Sequence, residues 1–231
     1  LEEVWRHWNH TLGAVQVAWF ENPHCPDAAY VKDIHFEILT AEELIGEVES
    51  AQGYTDRQIN ARRFELECEI LADAMERLAG SEPMPICFFD GSLILSFTTQ
   101  MGPALQRRYL QAVHRLLDTS EETRVCLVGY IGTSYARELG TMLALLDGRM
   151  APSRITDGEL LRRHMAWGAR TEAFACHRDD GLFDRGNREF RYYDRVVLVY
   201  LKTTSTNAPA RLDLPLWVLR EGALDQVLDV A

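Results

Sequence analysis

Segments with the pattern of β-strands alternate along this chain with segments that have the pattern of helices. Three strand patterns are strongly apolar: GAVQVAWF near the start, RVCLVGYIG in the middle and RYYDRVVLVYLKT further on. Helix patterns lie between them, and the longest runs from about Asp56 to Leu78 and stops at Gly80. Since strands that alternate with helices form a sheet covered by helices, the sequence predicts a mixed α/β fold.

The composition places the chain among globular proteins. Its 231 residues show no break in composition, so we expect one domain over residues 1–231. No apolar run approaches the roughly 20 residues of a membrane helix, which excludes a membrane span. The five cysteines are an odd number and form no CxxC pair, which is typical of reduced thiols in a cytoplasmic protein.

The charges are divided unevenly between the two parts of the chain. Residues 1–100 contain 18 acidic and 6 basic residues, whereas residues 101–231 contain 17 and 18. The formal net charge of −11 argues against sequence-blind adhesion to nucleic acid or to an anionic membrane. A nuclease remains compatible with it, because its acids hold metal while a local basic face holds phosphate. Residues 154–211, with 11 bases and 8 acids, are the predicted substrate face.

Asp90 interrupts an apolar segment, MPICFFDGSLILSF, which the pattern predicts to be a buried strand with a turn in its middle. An ionised carboxylate in such surroundings is costly to bury unless it is paired, and a metal ion is one such partner. Gly91 allows a sharp turn directly after it. The alternative interpretation is that Asp90-Gly91-Ser92 is simply a hairpin turn between two strands.

Glu67 is the second candidate. On a helical wheel with about 100° per residue, the apolar positions around Phe64 form an arc with Glu67 near its middle. Glu65 and Glu69 fall on the polar side. The wheel therefore predicts that Glu67 alone points towards the core, where it needs a metal, a base or a hydrogen-bond network. The alternative is a side chain that reaches the domain edge or pairs with an arginine.

The two acids together suggest a metal site. Glu67 on a helix and Asp90 on the adjacent strand are predicted to converge on one ion. Oxygen ligands suit Mg²⁺ or Mn²⁺. Ions bound in this way activate water and stabilise the leaving oxygen in phosphodiester hydrolysis.

A basic and aromatic cluster is predicted near the end of the chain. Tyr200 and Lys202 share one face of a strand, and Arg211 and Asp213 share one face of the next. Lys202 is one of only two lysines in the chain. A cluster of Lys202, Tyr200 and Arg211 beside carboxylates would suit a scissile phosphate. The alternative is an edge strand whose lysine faces solvent and prevents edge-to-edge pairing.

The order of several blocks resembles one family, the NurA nucleases, which are partners of the HerA hexameric DNA translocase. The resemblance spans roughly residues 13–230. The blocks, in order, are RRFELE, FFDGSLILSF, VGYI, ITDGELL, GART, VVLVYLKT and ARLDLPLWV.

This resemblance implies an RNase H-like fold, a homodimer, and Mn²⁺-dependent (or Mg²⁺-dependent) degradation of DNA ends with a HerA-type motor, in repair or defence. It implies that Glu67 and Asp90 are metal ligands, and that Tyr200 is the strand tyrosine of the site. With Lys202, Tyr200 would position the phosphate or stabilise developing charge, and Arg211 would bind substrate. The second hypothesis is a non-catalytic, dimeric adaptor on the same kind of motor.

Three departures from the family pattern bear on completeness. The earlier Asp-Gly-Ser motif does not occur in residues 1–12, a frequent lysine is replaced by Gly132-Thr133, and the C-terminal motif is missing. Leu1 is not an initiator methionine. Either the chain is a fragment of a longer nuclease or its catalytic set is incomplete.

Aromatic residues are concentrated near the start of the chain. Trp5, Trp8, Trp19 and Phe20 exceed what a small strand needs for its own core. Because aromatic anchors are enriched at interfaces, we expect self-association through this segment. The alternative is that these side chains fill the domain core.

Overall fold

The structure is a computed structural model that describes residues 13–22, 29–40, 54–149, 153–176 and 192–229. These residues fall into two compact units. The first comprises the described residues up to Ile70 together with Gln100–Ala112, and the second comprises Leu71–Thr99 together with those from Val113 onwards.

The first unit contains an antiparallel hairpin. Strand β1 (Gly13–Glu21) pairs with strand β2 (Val31–Leu39) along their whole length. The long helix α1 runs over Tyr54–Leu78. Val15 and Val17 on one face of β1 pack with Leu39 and with Leu66 of α1, so this face of the hairpin is buried. The strict alternation of buried and exposed residues in β1 is the pattern of a half-buried strand.

The second unit contains a five-stranded mixed sheet. Its strands are β3 (Ile86–Asp90), β4 (Cys126–Ile131), β5 (Phe174–Ala175), β6 (Val196–Leu201) and β7 (Ala210–Pro215). The order across the sheet is β3-β4-β7-β6-β5, with β3 and β4 parallel and the other neighbours antiparallel. Strands β3, β4 and β6 therefore all point the same way, and their carboxyl ends meet at one edge of the sheet.

Helices flank this sheet, as the α/β prediction required. They are α2 (Pro103–Thr123), α3 (Glu138–Leu146), α4 (Asp157–Arg162), α5 (Leu216–Arg220) and α6 (Leu224–Leu228). Two 3₁₀ turns cover Ser96–Gln100 and Tyr192–Arg195. The mixed sheet with its helices is consistent with an RNase H-like fold, so the predicted fold class is confirmed.

One face of the sheet carries the main apolar core. Alternate residues of β4, β6 and β7, among them Val128, Val199 and Leu212, pack with Trp217 and Val218 of α5. The indole Nε1–H of Trp217 donates to Ser120 Oγ at 3.1 Å, which satisfies the one polar group that the ring brings into the core.

Several predicted elements are present but begin or end at other residues than expected. The segment MPICFFDGSLILSF is a strand only as far as Asp90 and then bends into the first 3₁₀ turn. The predicted capping box at Thr156 and Glu159 is confirmed, although α4 is shorter than expected. The backbone N–H of Gly168 donates to the carbonyl of Lys202 at 2.9 Å, which draws the chain onto β6. The predicted helix after Thr40 lies outside the described residues.

No helix in the described part of the chain is both long enough and apolar enough to cross a membrane.

Candidate active site

Asp90 lies at the edge of the sheet where the parallel strands end. It is the last residue of β3 and pairs in register with Tyr130 of β4. Asp90 is exposed, and Phe88 and Tyr130 beside it are also partly exposed. Ligands of open α/β sheets bind outside the carboxyl ends of the strands, so Asp90 stands where a ligand would be expected.

The turn after Asp90 is not a hairpin. Strand β3 is an edge strand, and its neighbour in the sheet is the parallel strand β4. The hairpin interpretation of Asp90-Gly91-Ser92 is therefore wrong. Gly91 has a φ of 155°, which side-chain-bearing residues rarely adopt, and its N–H donates to the carbonyl of Phe89 at 2.9 Å. The chain thus leaves the strand sharply just beyond Asp90.

A buried carboxylate, Asp213, holds this turn. It is 0% exposed and lies in β7. Asp213 Oδ2 accepts from Ser92 Oγ at 2.7 Å and from the N–H of Leu93 at 3.0 Å. From the sequence, Asp213 was predicted only to share a face with Arg211. The two charged residues inside the apolar strand RLDLP could have indicated a buried ion pair, since buried charges are normally paired.

Arg211 neutralises Asp213. The guanidinium is 4% exposed, and its Nε donates to Asp213 Oδ1 at 2.7 Å. Burial alone would lower the pKa of Arg211, but the neighbouring Asp213 holds it above its ordinary value. Nη1 lies 3.9 Å from Glu138 Oε1, while Nη2 is buried and donates to no acceptor among the described residues. Arg211 is therefore a charged group of the interior, where no solvent-exposed ligand reaches it directly.

Tyr200 belongs to a second buried network. It is 1% exposed, and its hydroxyl donates to Asp157 Oδ2 at 2.8 Å. Asp157 also accepts from the N–H groups of Leu139 and Gly140, at 3.1 and 2.8 Å, in the first turn of α3. Burial, followed by the charge of Asp157, raises the pKa of the Tyr200 phenol well above its ordinary value. Tyr200 thereby connects β6 to the start of α3.

Lys202 is buried at the same edge of the sheet. It is 2% exposed, and its Nζ donates to the carbonyl of Asn207. Strand β6 lies between β7 and β5. The interpretation of Lys202 as a solvent-facing lysine on an edge strand is therefore wrong.

Glu67 lies in the first unit and is not at the centre of a buried face. Its side chain is 32% exposed, and an ion pair with Arg63 spans 3.6 Å. The apolar arc of the wheel is in fact two stripes of α1. Leu66 packs with the hairpin, whereas Phe64 and Cys68 lie on another buried side. Glu67 falls between the stripes, so the predicted orientation into the core is wrong, and the alternative of pairing with an arginine is confirmed.

The sheet register separates Asp90 from the two buried networks. Arg211 and Tyr200 pair in the row that contains Ile131, one residue beyond the row of Asp90 and Tyr130. Since side chains alternate between the faces of a sheet, Asp90 is assigned to the opposite face from Arg211 and Tyr200. The structure thus brings Tyr200, Arg211 and Lys202 to one edge with Asp90, but not into one exposed cluster.

A manganese or magnesium ion fits this site in part. Asp90 supplies an exposed carboxylate oxygen, which these ions prefer. Within the described ranges, no three or more His, Cys, Asp or Glu residues are grouped so that they could hold a metal. The two described carboxylates predicted as ligands belong to different compact units.

The fold and this edge of the sheet define an RNase H-like α/β protein with a carboxylate at the end of a parallel strand. A family model described as the NurA domain matches residues 7–231, and the chain therefore belongs to the NurA family, a family of nucleases. The predicted family is confirmed. Neither the search of curated proteins nor the search of solved structures found a match to this chain.

The raised pKa of Tyr200 predicts a loss of stability in alkali. The unfolded phenol loses its proton near pH 10, whereas the folded phenol keeps it. The stabilisation that the fold gains from the protonated Tyr200 phenol is fully present below pH 10. Above pH 10 the free energy of unfolding falls by up to about 1.4 kcal/mol per pH unit. Urea unfolding at pH 9 and pH 11 should show a smaller fall for Tyr200→Phe than for the wild type. Tyr135→Phe, at an exposed tyrosine, is the control. Equal falls in wild type and Tyr200→Phe would contradict the assignment.

Proposed function

We propose that this chain is a divalent-metal-dependent DNA nuclease, which hydrolyses phosphodiester bonds at DNA ends during repair or defence. The observation that carries the proposal is the position of Asp90. It is an exposed carboxylate at the carboxyl end of a parallel strand, in a chain that matches the NurA family almost throughout. A carboxylate at this place is the kind of group that holds a metal near a phosphate.

Asp90 is the metal ligand in this proposal, with Glu67 as the second carboxylate that the family resemblance implies. The ion, Mn²⁺ or Mg²⁺, supplies Lewis acidity and a more acidic bound water. Glu67 is half-buried and its ion pair with Arg63 is partly exposed, so it is accessible to an ion. Three further residues have a structural role in this proposal. They are buried and stabilise the sheet edge through interior contacts: Tyr200, Lys202 and Arg211.

Exposed arginines beside this edge support DNA as the substrate. Hydrogen bonds with Thr156 and the nearby charges of Arg162 and Arg137 lower the pKa of Glu159, so both arginines lie near this residue of α4. Arg162 and Arg163 are exposed, and Trp167 is 74% exposed. Guanidinium groups beside an open aromatic ring suit phosphates and stacked bases. The segment lies near the end of β6, because Asp157 at the start of α4 accepts from Tyr200 and Gly168, next to Trp167, donates to the carbonyl of Lys202.

A protein partner is proposed for the hairpin of the first unit. The face of β1 and β2 opposite the helix carries Phe20, Ile34, Phe36 and Ile38, each more than half exposed. Trp19 is half-buried on the face that also carries Val15 and Val17, so it serves the unit's own core as much as a surface. Trp5 and Trp8 lie outside the described residues. We propose that this open face joins two copies of the chain, with a HerA-type translocase as the motor partner.

A non-catalytic adaptor on the same motor is the second candidate. The lack of any group of three metal-binding side chains in the described ranges is the observation that favours it. Both candidates predict a dimer and a motor partner, and they differ only in cleavage of DNA. An assay of metal-dependent cleavage by the purified protein therefore separates them.

The nuclease proposal predicts that Asp90→Asn abolishes Mn²⁺-dependent cleavage of linear DNA. We expect a loss of at least about 100-fold, because the amide is a weak ligand in place of a carboxylate. The fold should persist, since Asp90 is exposed. Asp147→Asn removes another exposed acid, which is paired with Arg149, and should leave cleavage unchanged. Full activity of Asp90→Asn would overturn the assignment, and an inactive wild type would favour the adaptor.

The substrate face is tested by the salt dependence of DNA binding. Arg163→Ala removes an exposed charge and should reduce the slope of log K against log salt by roughly one phosphate contact. Lys202→Ala removes a buried charge that is bound to Asn207, so it should lower the melting temperature and leave the slope unchanged. The reverse pattern, with a changed slope only for Lys202→Ala, would show that the phosphate path is formed by the predicted lysine.

The hairpin face predicts a change in oligomeric state. Phe36→Gln places a polar group in the middle of the open apolar face and should shift the protein from dimer to monomer in size-exclusion chromatography with light scattering. Leu146→Gln changes another exposed apolar residue, at the end of α3, and should leave the dimer intact. A dimer that survives Phe36→Gln but dissociates with Leu146→Gln would locate the contact on the second unit instead.

A further inference from the structure

We propose that Asp213 is a positioning residue for Asp90. Its buried carboxylate fixes the turn formed by Gly91, Ser92 and Leu93, and this turn sets the place of Asp90 at the end of β3. The proposal rests on the proposed metal-dependent nuclease function, in which Asp90 is a ligand. It adds a role for three residues that do not themselves reach the metal: Asp213, Ser92 and Gly129.

The contacts of Asp213 converge on the turn. Asp213 Oδ2 receives two hydrogen bonds from consecutive residues, from Ser92 Oγ at 2.7 Å and from the Leu93 N–H at 3.0 Å. Ser92 Oγ in turn accepts from the N–H of Ile94 at 3.0 Å. Leu93 and Asp213 are both 0% exposed, so water does not compete for the hydrogen bond between them. Ser92, Leu93 and Ile94 are thus fixed by one buried oxygen and the hydroxyl bound to it.

Gly129 allows the turn to cross the sheet. Strand β4 lies between β3 and β7, and Gly129 pairs in register with Asp213. A Cβ at Gly129 would stand 2.8 Å from the carbonyl oxygen of Gly91, 3.0 Å from Leu93 Cγ and 3.3 Å from Asp213 Cβ. The first of these distances is too short for any real Cβ and involves backbone. Only a glycine at this position lets the chain after Asp90 pass over β4 and reach Asp213.

Arg211 completes the arrangement from the other side. Its Nε donates to Asp213 Oδ1 at 2.7 Å. One oxygen of the carboxylate is thus paired with the guanidinium, and the other oxygen binds the turn. An ionised acceptor makes stronger hydrogen bonds than a neutral one. The buried ion pair therefore supplies a fixed acceptor whose geometry is set by the sheet and not by the loop that it holds.

This arrangement matters for metal binding because a ligand binds best when its backbone is already in place. The carboxylate of Asp90 makes no hydrogen bond or ion pair with the described residues, so the side chain is not held by neighbours. Its backbone is held, by pairing with β4 before it and by Asp213 after it. Residues that orient a ligand in this way typically change metal affinity by about 10- to 100-fold when they are replaced.

The test compares variants of the turn with a matched buried serine. Ser92→Ala removes the hydroxyl bound to Asp213, and Gly129→Ala pushes the backbone of Gly91 away. Ser120→Ala removes a fully buried hydroxyl, which donates to the carbonyl of Val125 and accepts from Trp217, far in the sequence from the turn. Asp213→Asn is a supporting variant, because loss of the charge leaves buried Arg211 with only its 3.9 Å ion pair to Glu138 among the described residues and can prevent folding.

Two readouts are needed, the Mn²⁺ concentration for half-maximal cleavage and the hydrogen exchange rate of the Leu93 amide. We expect Ser92→Ala and Gly129→Ala to raise the Mn²⁺ requirement by about 10-fold or more, with most of kcat restored at saturating Mn²⁺. Both variants should also speed the exchange of Leu93. Ser120→Ala should lower the melting temperature and leave the Mn²⁺ requirement and the exchange of Leu93 as in the wild type.

The outcomes distinguish this proposal from the function on which it rests. If the wild type cleaves DNA and the turn variants keep its Mn²⁺ requirement, the positioning role is overturned and the nuclease stands. If the wild type does not cleave, the nuclease function fails, and the exchange of Leu93 alone decides. Faster exchange in the two turn variants but not in Ser120→Ala then supports the role of Asp213, and unchanged exchange overturns it.

Discussion

The ion pair between Arg211 and Asp213 is the constraint on which the second unit depends. Both residues lie in β7, and both are almost completely buried. Removing either one would leave a charge in the interior, at a cost of about 3–5 kcal/mol. The pair is nevertheless more than a source of stability, because Asp213 also binds the chain that leaves β3. A single buried carboxylate thus links the middle of the sheet to its edge, where the exposed acid lies.

A second buried carboxylate, Asp157, performs a similar task at the same edge. It accepts from two backbone N–H groups at the start of α3 and from the hydroxyl of Tyr200. In both networks an acid from one element accepts hydrogen bonds from the backbone N–H groups of another. Buried polar contacts therefore stabilise the sheet edge from the interior, while Asp90 and the arginines near α4 are among the residues that face solvent there.

The sequence allowed the fold to be predicted because the strand and helix patterns are long and strongly periodic. It indicated Asp90 as an acid within an apolar segment, but the structure leaves Asp90 exposed at the end of its strand, and the turn that follows is not a hairpin. It failed for Glu67, because a wheel shows which residues are apolar but not that they pack in two directions. It did not show that Lys202 is buried, since a lysine after a strand looks the same in sequence whether it faces solvent or binds a carbonyl. The contacts of Asp213 with Ser92 and Leu93 could not be read from the sequence, because these partners lie 120 residues and more away.

The two stripes of α1 have a mechanical consequence. Leu66 is fixed by the hairpin on one side, and Ala61, Phe64 and Cys68 are buried on another. A helix held on two sides cannot roll about its own axis without exposing one set of apolar side chains. The Glu67 carboxylate can therefore move only by changing its own side-chain rotamer, within the space between the two apolar stripes. Its direction is set by the packing of its apolar neighbours, and the bond to Arg63 merely selects among the few positions that this packing leaves open.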